Sequence, residues 1–216
     1  MRLLSPLEAR VLGVLIEKQS TVPDTYPMSL NALVGGCNQK TARSPVIEAS
    51  EVEVLGALEG LKGLSLVFEG SGSRVVKFEQ NTARALKLPS QAVALLAVLM
   101  LRGPQTSAEL RLNSERLHRF ADISSVEGFL DELAAREPPL VLKLARAAGE
   151  REARWAHLLC GEPAPTAAAG ARAASNEDPI SSGELSALRA EQMRLAGEVA
   201  ELKSLVQRLA RELGLE

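Results

Sequence analysis

The densest group of polar side chains in this chain lies between residues 37 and 46. It contains two cations, two carboxamides and two hydroxyls, in the order Cys37-Asn38-Gln39-Lys40-Thr41-Ala42-Arg43-Ser44-Pro45-Val46. Such groups bind phosphate oxygens or the backbone of another protein. The same side chains can instead satisfy the backbone of their own loop and cap the adjacent helices. The sequence leaves both interpretations open.

Two further pairs of cations lie in segments that are predicted to be the return strands of β-hairpins. Each pair is followed by an aromatic residue, in the order Arg74-x-x-Lys77-Phe78 and Arg151-x-x-Arg154-Trp155. Exposed cations can neutralise the phosphates of double-stranded DNA. Because strand residues three apart point to opposite faces, the two cations of a pair cannot both lie on one surface. Together with the polar side chains of residues 37–46, these cations make up the candidate DNA-binding residues, which are Asn38, Gln39, Lys40, Arg43, Arg74, Lys77, Arg151 and Arg154.

Residues that support catalysis are scarce. The two histidines, His118 and His157, belong to no HExxH sequence and have no carboxylate at metal-ligand spacing. The sequence contains no Walker A motif and no GxSxG nucleophile turn. The two cysteines, Cys37 and Cys160, are far apart, and Cys37 is expected to be a buried structural thiol. We therefore expect no enzymatic activity, no metal and no cofactor.

The elements that carry these residues begin with residues 1–83. Ser5 is the expected N-cap of the first helix, with Pro6 at its first position and Glu8 completing a capping box. Apolar spacing predicts three helices, from Ser5 to about Gln19, from about Ser29 to Val34 and from about Ser50 to Lys62, with Gly35-Gly36 expected to end the second. Turn residues predict a hairpin whose strands are Ser65–Glu69 and Arg74–Gln80.

The same order of elements returns 84 positions later. The second copy comprises a helix with Leu88-Pro89-Ser90 at its start, a short helix from near Thr106, a helix with Val126, Leu130 and Leu133, and a hairpin of Leu140–Ala145 with Arg151–Leu158. The predicted fold class is α+β and mostly helical, with two tandem winged helix-turn-helix domains, 1–83 and 84–161. The alternative is two unrelated helical segments with chance periodicity.

The last quarter of the chain has a different composition. A flexible linker rich in Ala, Pro and Ser is predicted over 162–183, and a coiled-coil helix over 184–215. Leucine occupies every d position of the heptads, which favours a parallel homodimer. The alternative is that the helix folds back on its own domains. The predicted dimerisation residues are Leu188, Leu195, Val199, Leu202, Val206 and Leu209.

Overall composition limits the classes of partner. The 216 residues include 25 Lys and Arg against 27 Asp and Glu, which excludes a uniformly basic nucleic-acid coat protein. The longest apolar stretch, Ala92–Leu101, is half as long as a membrane span, and the N-terminus has no secretory apolar region. We expect a cytoplasmic protein that has no membrane partner.

Several motifs over residues 4–161 resemble the YceH family of uncharacterised bacterial proteins. They are Leu7-Glu8-Ala9-Arg10-Val11-x-Gly13, Glu17-Lys18-Gln19, the Cys37-Asn38-Gln39-Lys40-Thr41-x-Arg43-x-Pro45-Val46 block, Arg74-Val75-x-Lys77, Leu101-Arg102-Gly103-x-Gln105-Thr106-x-x-Glu109-Leu110-Arg111 and Arg151-Glu152-x-Arg154-x-x-His157-Leu158. Inside the Cys-Asn-Gln-Lys-Thr block this chain has Ala42 and Ser44 where the family has Asn and Glu, which weakens the transfer of any site there. The resemblance implies a tandem winged-helix fold and no assigned activity.

The predicted third helix of each copy decides between two functions. Its exposed residues are mostly acidic: Glu51, Glu53, Glu59 and Lys62 in the first copy, and Glu127, Asp131, Glu132 and Arg136 in the second. Carboxylates are repelled by DNA phosphates, so ordinary recognition-helix binding is disfavoured. The leading hypothesis is a dimeric DNA-associated or transcription-regulatory protein that contacts DNA through its wings and the Lys40–Arg43 loop. The alternative is a protein-interaction adaptor that binds no DNA.

Overall fold

The computed structural model describes residues 2–70, 75–146 and 152–163. Arg74, Arg151, nearly all of the predicted linker and the whole predicted coiled-coil helix lie outside them. The same is true of the dimerisation residues Leu188, Leu195, Val199, Leu202, Val206 and Leu209. In the described ranges the protein is α+β and about half helical, with two small antiparallel sheets.

The first half of the described chain contains three main helices and a three-stranded sheet. The elements are α1 (Pro6–Thr21), a 3-10 turn (Pro23–Thr25), β1 (Met28–Ser29), α2 (Leu30–Cys37), α3 (Glu51–Gly63), β2 (Val67–Gly70) and β3 (Lys77–Gln80). The sheet has the order β1-β3-β2, and Phe78 of β3 lies opposite both Met28 and Glu69. Strand β1 was not predicted, because two residues are too few to show alternation.

The second half repeats this order with a smaller sheet. Its elements are α4 (Thr82–Ala85), α5 (Ser90–Arg102), α6 (Ser107–Asn113), α7 (Ile123–Ala134), β4 (Val141–Lys143) and β5 (Trp155–His157). Strands β4 and β5 form an antiparallel hairpin. On the other side of β5, Gln105 and Trp155 exchange two backbone hydrogen bonds of 3.1 and 2.7 Å. Gln105 precedes α6 as β1 precedes α2, so the repeat extends to the third strand position.

Capping boxes set four of the helix starts in the described ranges, including that of α7 at Asp122. The backbone N–H of Glu8 donates to Ser5 Oγ, and the Glu8 carboxylate accepts from the Ser5 N–H at 2.7 Å, which confirms the predicted capping box of α1. The same reciprocal arrangement begins α3 at Ser50 and α6 at Thr106. A cap of this kind stabilises a helix by about 1 kcal/mol.

Helices α1 and α5 pack against each other at the centre of the described chain. Val11, Leu15, Leu95 and Leu99 are completely buried there. A Cβ on Gly13 would lie 3.0 Å from Leu101 Cγ, so glycine allows the close approach of the two helices. The apolar core continues from α3 through α1 and α5 to α7. Packing is thus continuous across residue 84. The division into two domains, 1–83 and 84–161, stays a prediction.

Helix α2 ends later than the sequence predicted. Gly35-Gly36 does not end it, and the helix continues to Cys37. Gly36 lies against α1, where a Cβ would be 2.6 Å from Val14 Cγ1. Its glycine is explained by close helix packing and not by helix termination.

Candidate functional site

The loop that begins at the last residue of α2, residues 37–49, is closed by its own side chains. Asn38 Nδ2 donates to the Ala49 carbonyl at 2.9 Å, and Asn38 Oδ1 accepts from the Ala49 N–H at 2.8 Å. This pair of bonds brings the two ends of the loop together just before α3 begins. The Asn38 carboxamide therefore has backbone partners within the chain, as the second interpretation of this stretch expected.

Arg43 is the buried centre of the 37–49 loop. Its side chain is 0% exposed, and its two terminal nitrogens donate to the two oxygens of the Glu17 carboxylate at 3.1 and 2.6 Å. The same guanidinium donates to the Gly36 carbonyl and to Gln39 Oε1. Burial by itself would raise the pKa of Glu17, but Arg43 and then Lys18 outweigh it and hold the pKa below its usual value. The pair ties the loop to α1.

Arg10 of α1 also binds the backbone of this loop. Its guanidinium donates to the Cys37 carbonyl at 3.1 Å and to the Pro45 carbonyl at 2.6 Å, and the residue is only 3% exposed. Burial first, and then the positive charge of Arg43, lower the pKa of Arg10. Sequence reasoning did not single out Arg10 as a functional residue, because nothing local shows that α1 turns this position inward toward a loop 27 residues away.

The candidate cations differ in their exposure and in their bonding partners. Lys40 is exposed and Lys77 is half-buried on β3, and neither side chain has a hydrogen bond or ion pair to another described residue. Arg154 donates to the Glu109 carboxylate at 2.8 Å and to the Pro104 carbonyl. DNA binding by the candidate set stays a prediction. For Arg43 it would require breaking bonds within the protein, because its buried guanidinium already donates to Glu17, Gln39 and two backbone carbonyls.

The exposed face of α3 is apolar and acidic. Val52 is 80% exposed and Leu55 is 42% exposed, and residues three apart on a helix are neighbours on its surface. The cation on this helix, Lys62, donates to Glu59 at 2.9 Å and to Glu69 at 2.5 Å. Its charge is therefore balanced within the protein. The corresponding face of α7 exposes three carboxylates, those of Glu127, Asp131 and Glu132.

Of the groups considered for catalysis, Cys37 is buried, and His118, His157 and Cys160 are half-buried. Cys37 is buried, as predicted, and burial raises the pKa of its thiol to about 11. Burial lowers the pKa of His157 to about 4. Across residues 2–70, 75–146 and 152–163, His, Cys, Asp and Glu nowhere form a group of three or more that could hold a metal ion. Within those same ranges, every helix is too short or too polar to cross a lipid bilayer.

Comparisons with known proteins agree with the motif pattern. Residues 4–150 match the family described as "Protein of unknown function, DUF480". UPF0502 proteins of Burkholderia vietnamiensis, Burkholderia pseudomallei and Burkholderia cenocepacia are each 65% identical to this chain over 216 residues, which is all of this chain and 92% of theirs. The chain belongs to this bacterial family, DUF480, and its predicted resemblance to the YceH proteins is confirmed.

Proposed function

We propose that the protein is a non-enzymatic adaptor of tandem winged-helix architecture that binds another protein through the exposed face of α3. The architecture is supported by the repeated order of elements. In each half, three main helices (α1 to α3 and α5 to α7) precede a β-hairpin, and a short extended segment before the second of them pairs with the return strand. That is the order of a winged helix-turn-helix unit.

The observation that carries the proposal is the pair of exposed apolar side chains on α3. Val52 and Leu55 lie on one face of the helix that would normally read DNA, with Glu51 and Glu59 exposed on the same helix. Apolar side chains within a polar rim are typical of a protein interface. The carboxylates define the partner, which should present apolar side chains bordered by Lys or Arg.

The same face is poorly suited to DNA. Most of the affinity of proteins for duplex DNA comes from neutralising phosphates with cations. On α3 the cation Lys62 is already paired with Glu59 and Glu69, and α7 exposes carboxylates. A phosphate backbone approaching either helix would meet negative charge.

DNA association is the second candidate function, and one observation favours it. Lys40 and Lys77 have no described partner, and Lys77 lies on the return strand of the first hairpin. Two such cations could contact phosphates without reading sequence. In both functions, a homodimer formed through the predicted C-terminal coiled coil would present two copies of the surface and raise the effective affinity.

An experiment that introduces positive charge on α3 separates the two functions. In the full chain, V52K with L55K places two cations on α3. A protein partner that docks there is lost, whereas affinity for duplex DNA is unchanged or increased. The matched control is V22K with L112K, which changes two exposed apolar residues away from α3.

Two measurements are needed for each variant. The first is capture of a stoichiometric protein partner that the wild type and the control retain and the α3 variant loses. The second is binding to random-sequence duplex over a range of salt concentrations, where the adaptor proposal expects no measurable affinity even at low salt. Duplex binding that weakens with salt and is reduced by K40A with K77A, together with a partner that survives the α3 change, would replace the adaptor by the DNA-associated function.

A further inference from the structure

A cavity of about 500 Å³ lies where the start of α1 meets the end of α5. Residues 44–49 of the loop and the segment 156–163 complete its walls. Most of the wall is apolar and is formed by Leu7, Pro45, Ile47, Leu99, Met100 and Pro104. A cavity of this size with an apolar wall matches the usual binding site for a small molecule.

Arg10 contributes a positive charge to this apolar wall. The side chain forms no ion pair with any described residue, and its Nε atom is buried without a hydrogen-bond partner. Its two backbone acceptors, the carbonyls of Cys37 and Pro45, are neutral. A buried cation without a counter-charge is costly, so an anion bound beside it would be strongly favoured.

The three carboxylates at the cavity, those of Glu48, Glu53 and Glu162, form no ion pair with Arg10. The Glu53 carboxylate accepts hydrogen bonds from the backbone N–H and the hydroxyl of Ser50, where it caps α3. Glu48 and Glu162 are exposed to solvent. Arg43 is the charged side chain that most influences Arg10, and it too is a cation.

A second unpartnered polar atom belongs to the cavity wall. His157 lines the cavity, and its Nδ1 atom is buried without a hydrogen-bond partner. Because burial lowers the pKa of His157 to about 4, the ring is neutral at pH 7 and offers one donor and one acceptor. The cavity thus combines an apolar wall, one buried cation and one neutral polar ring.

We propose that this cavity binds a small organic acid, with its single carboxylate on Arg10 and its apolar body against Leu7, Ile47 and Met100. The negative charge of the carboxylate lies beside the Arg10 guanidinium and completes the charge balance of the cavity. His157 accepts from or donates to a polar group on the ligand. Glu48, Glu53 and Glu162 at the wall favour a ligand with one negative charge over a ligand with several.

The first test compares two probes that differ only in the polar head. Octanoate and octan-1-ol are titrated into the full chain by calorimetry, with fluorescence of Trp155, the single tryptophan, as a second signal because it adjoins the lining residue Ala156. A hydrogen bond to a charged partner gives octanoate an advantage of about tenfold or more. Equal affinities of the two probes, or no saturable binding of either, would overturn the proposal.

Variants locate the anion. R10M is expected to reduce octanoate affinity to that of octanol and to leave octanol binding unchanged. R111M is the matched control, because Arg111 also donates to a backbone carbonyl and has a buried, unpartnered Nε, but does not line the cavity. An equal loss in both variants, or none in a folded R10M, contradicts the proposal. If R10M does not fold, the H157F variant and the two titrations of the wild type test the proposal instead. The affinity for octanoate is expected to fall severalfold in H157F.

Discussion

The connection between α2 and α3 and the connection between α6 and α7 occupy the same place in the two halves, yet they are held differently. The first, the 37–49 loop, is anchored to α1 by the buried Arg43–Glu17 pair and closed by Asn38. The second, residues 114–122, is held by aromatic packing, with the Phe120 ring edge-on to His118 at 4.7 Å and to Phe129 at 6.0 Å. None of the ion pairs among the described residues involves the 114–122 segment.

This difference separates structural from functional polar residues. A dense polar sequence such as 37–46 indicates ligand binding and loop closure equally well, and here Asn38, Gln39 and Arg43 have partners within the chain. In the 114–122 segment the buried polar residue is the neutral Ser114, where the first loop buries the charged Arg43. The polar sequence of the first loop therefore reflects how that loop is stabilised.

The largest expected effect is that of breaking the Arg43–Glu17 pair. R43M leaves the partly buried Glu17 carboxylate with Lys18, 3.4 Å away, as its remaining cation. The expected cost is therefore the lower end of the range of about 3–5 kcal/mol that removing one partner of a buried pair costs. The free energy of unfolding, measured with urea, should fall by this amount.

The control for this change is the double variant E17M with R43M. Because it removes both charges and fills the space with apolar atoms, it should recover most of the lost stability. If the double variant is as unstable as the sum of the two single variants, the pair does not act as a unit and the comparison of the two loops loses its main support.

The second expected effect distinguishes the two halves by pH. In the folded protein the pKa of His157 is lowered to about 4 from 6.5, so the unfolded chain binds this proton at a higher pH than the folded protein does. Stability is therefore fully present above pH 6.5 and decreases as the pH falls toward 4, by about 2 kcal/mol between pH 7 and pH 5. Glu17, whose pKa is lowered from 4.5, adds its own loss only at more acidic pH.

Urea unfolding of the wild type and of H157F at pH 7 and pH 5 measures this effect. The wild type should lose stability between the two values, and H157F should lose much less because phenylalanine does not titrate. Equal losses in the two proteins would show that His157 is not the group responsible.

Local signals made much of the fold predictable. The α1 cap depends on Ser5 and Glu8, three residues apart, and the inward positions Val54, Leu58 and Leu61 of α3 follow a helical period, so both were predicted and confirmed. The second half was predicted because it repeats the order of the first. These features depend on residues close together in sequence.

The parts that the sequence did not predict depend on distant residues. Strand β1 exists because Met28 pairs with Phe78, fifty positions later in the chain. The pairing of Arg43 with Glu17 spans 26 positions, and the cavity beside Arg10 needs α1, α5 and the segment 156–163 together. No local pattern records such contacts, because only the folded chain brings these side chains within reach.

The smallest expected effect is that of removing one ring from the 114–122 segment. F120L keeps the buried site apolar but loses the edge-on contacts with His118 and Phe129, at a cost of about 1–2 kcal/mol. Because no charge is removed, the loss should be the same at low and at high salt. Urea unfolding of F120L beside R43M tests this directly. A loss as large as that of R43M would mean that aromatic packing stabilises the second connection as strongly as the ion pair stabilises the first.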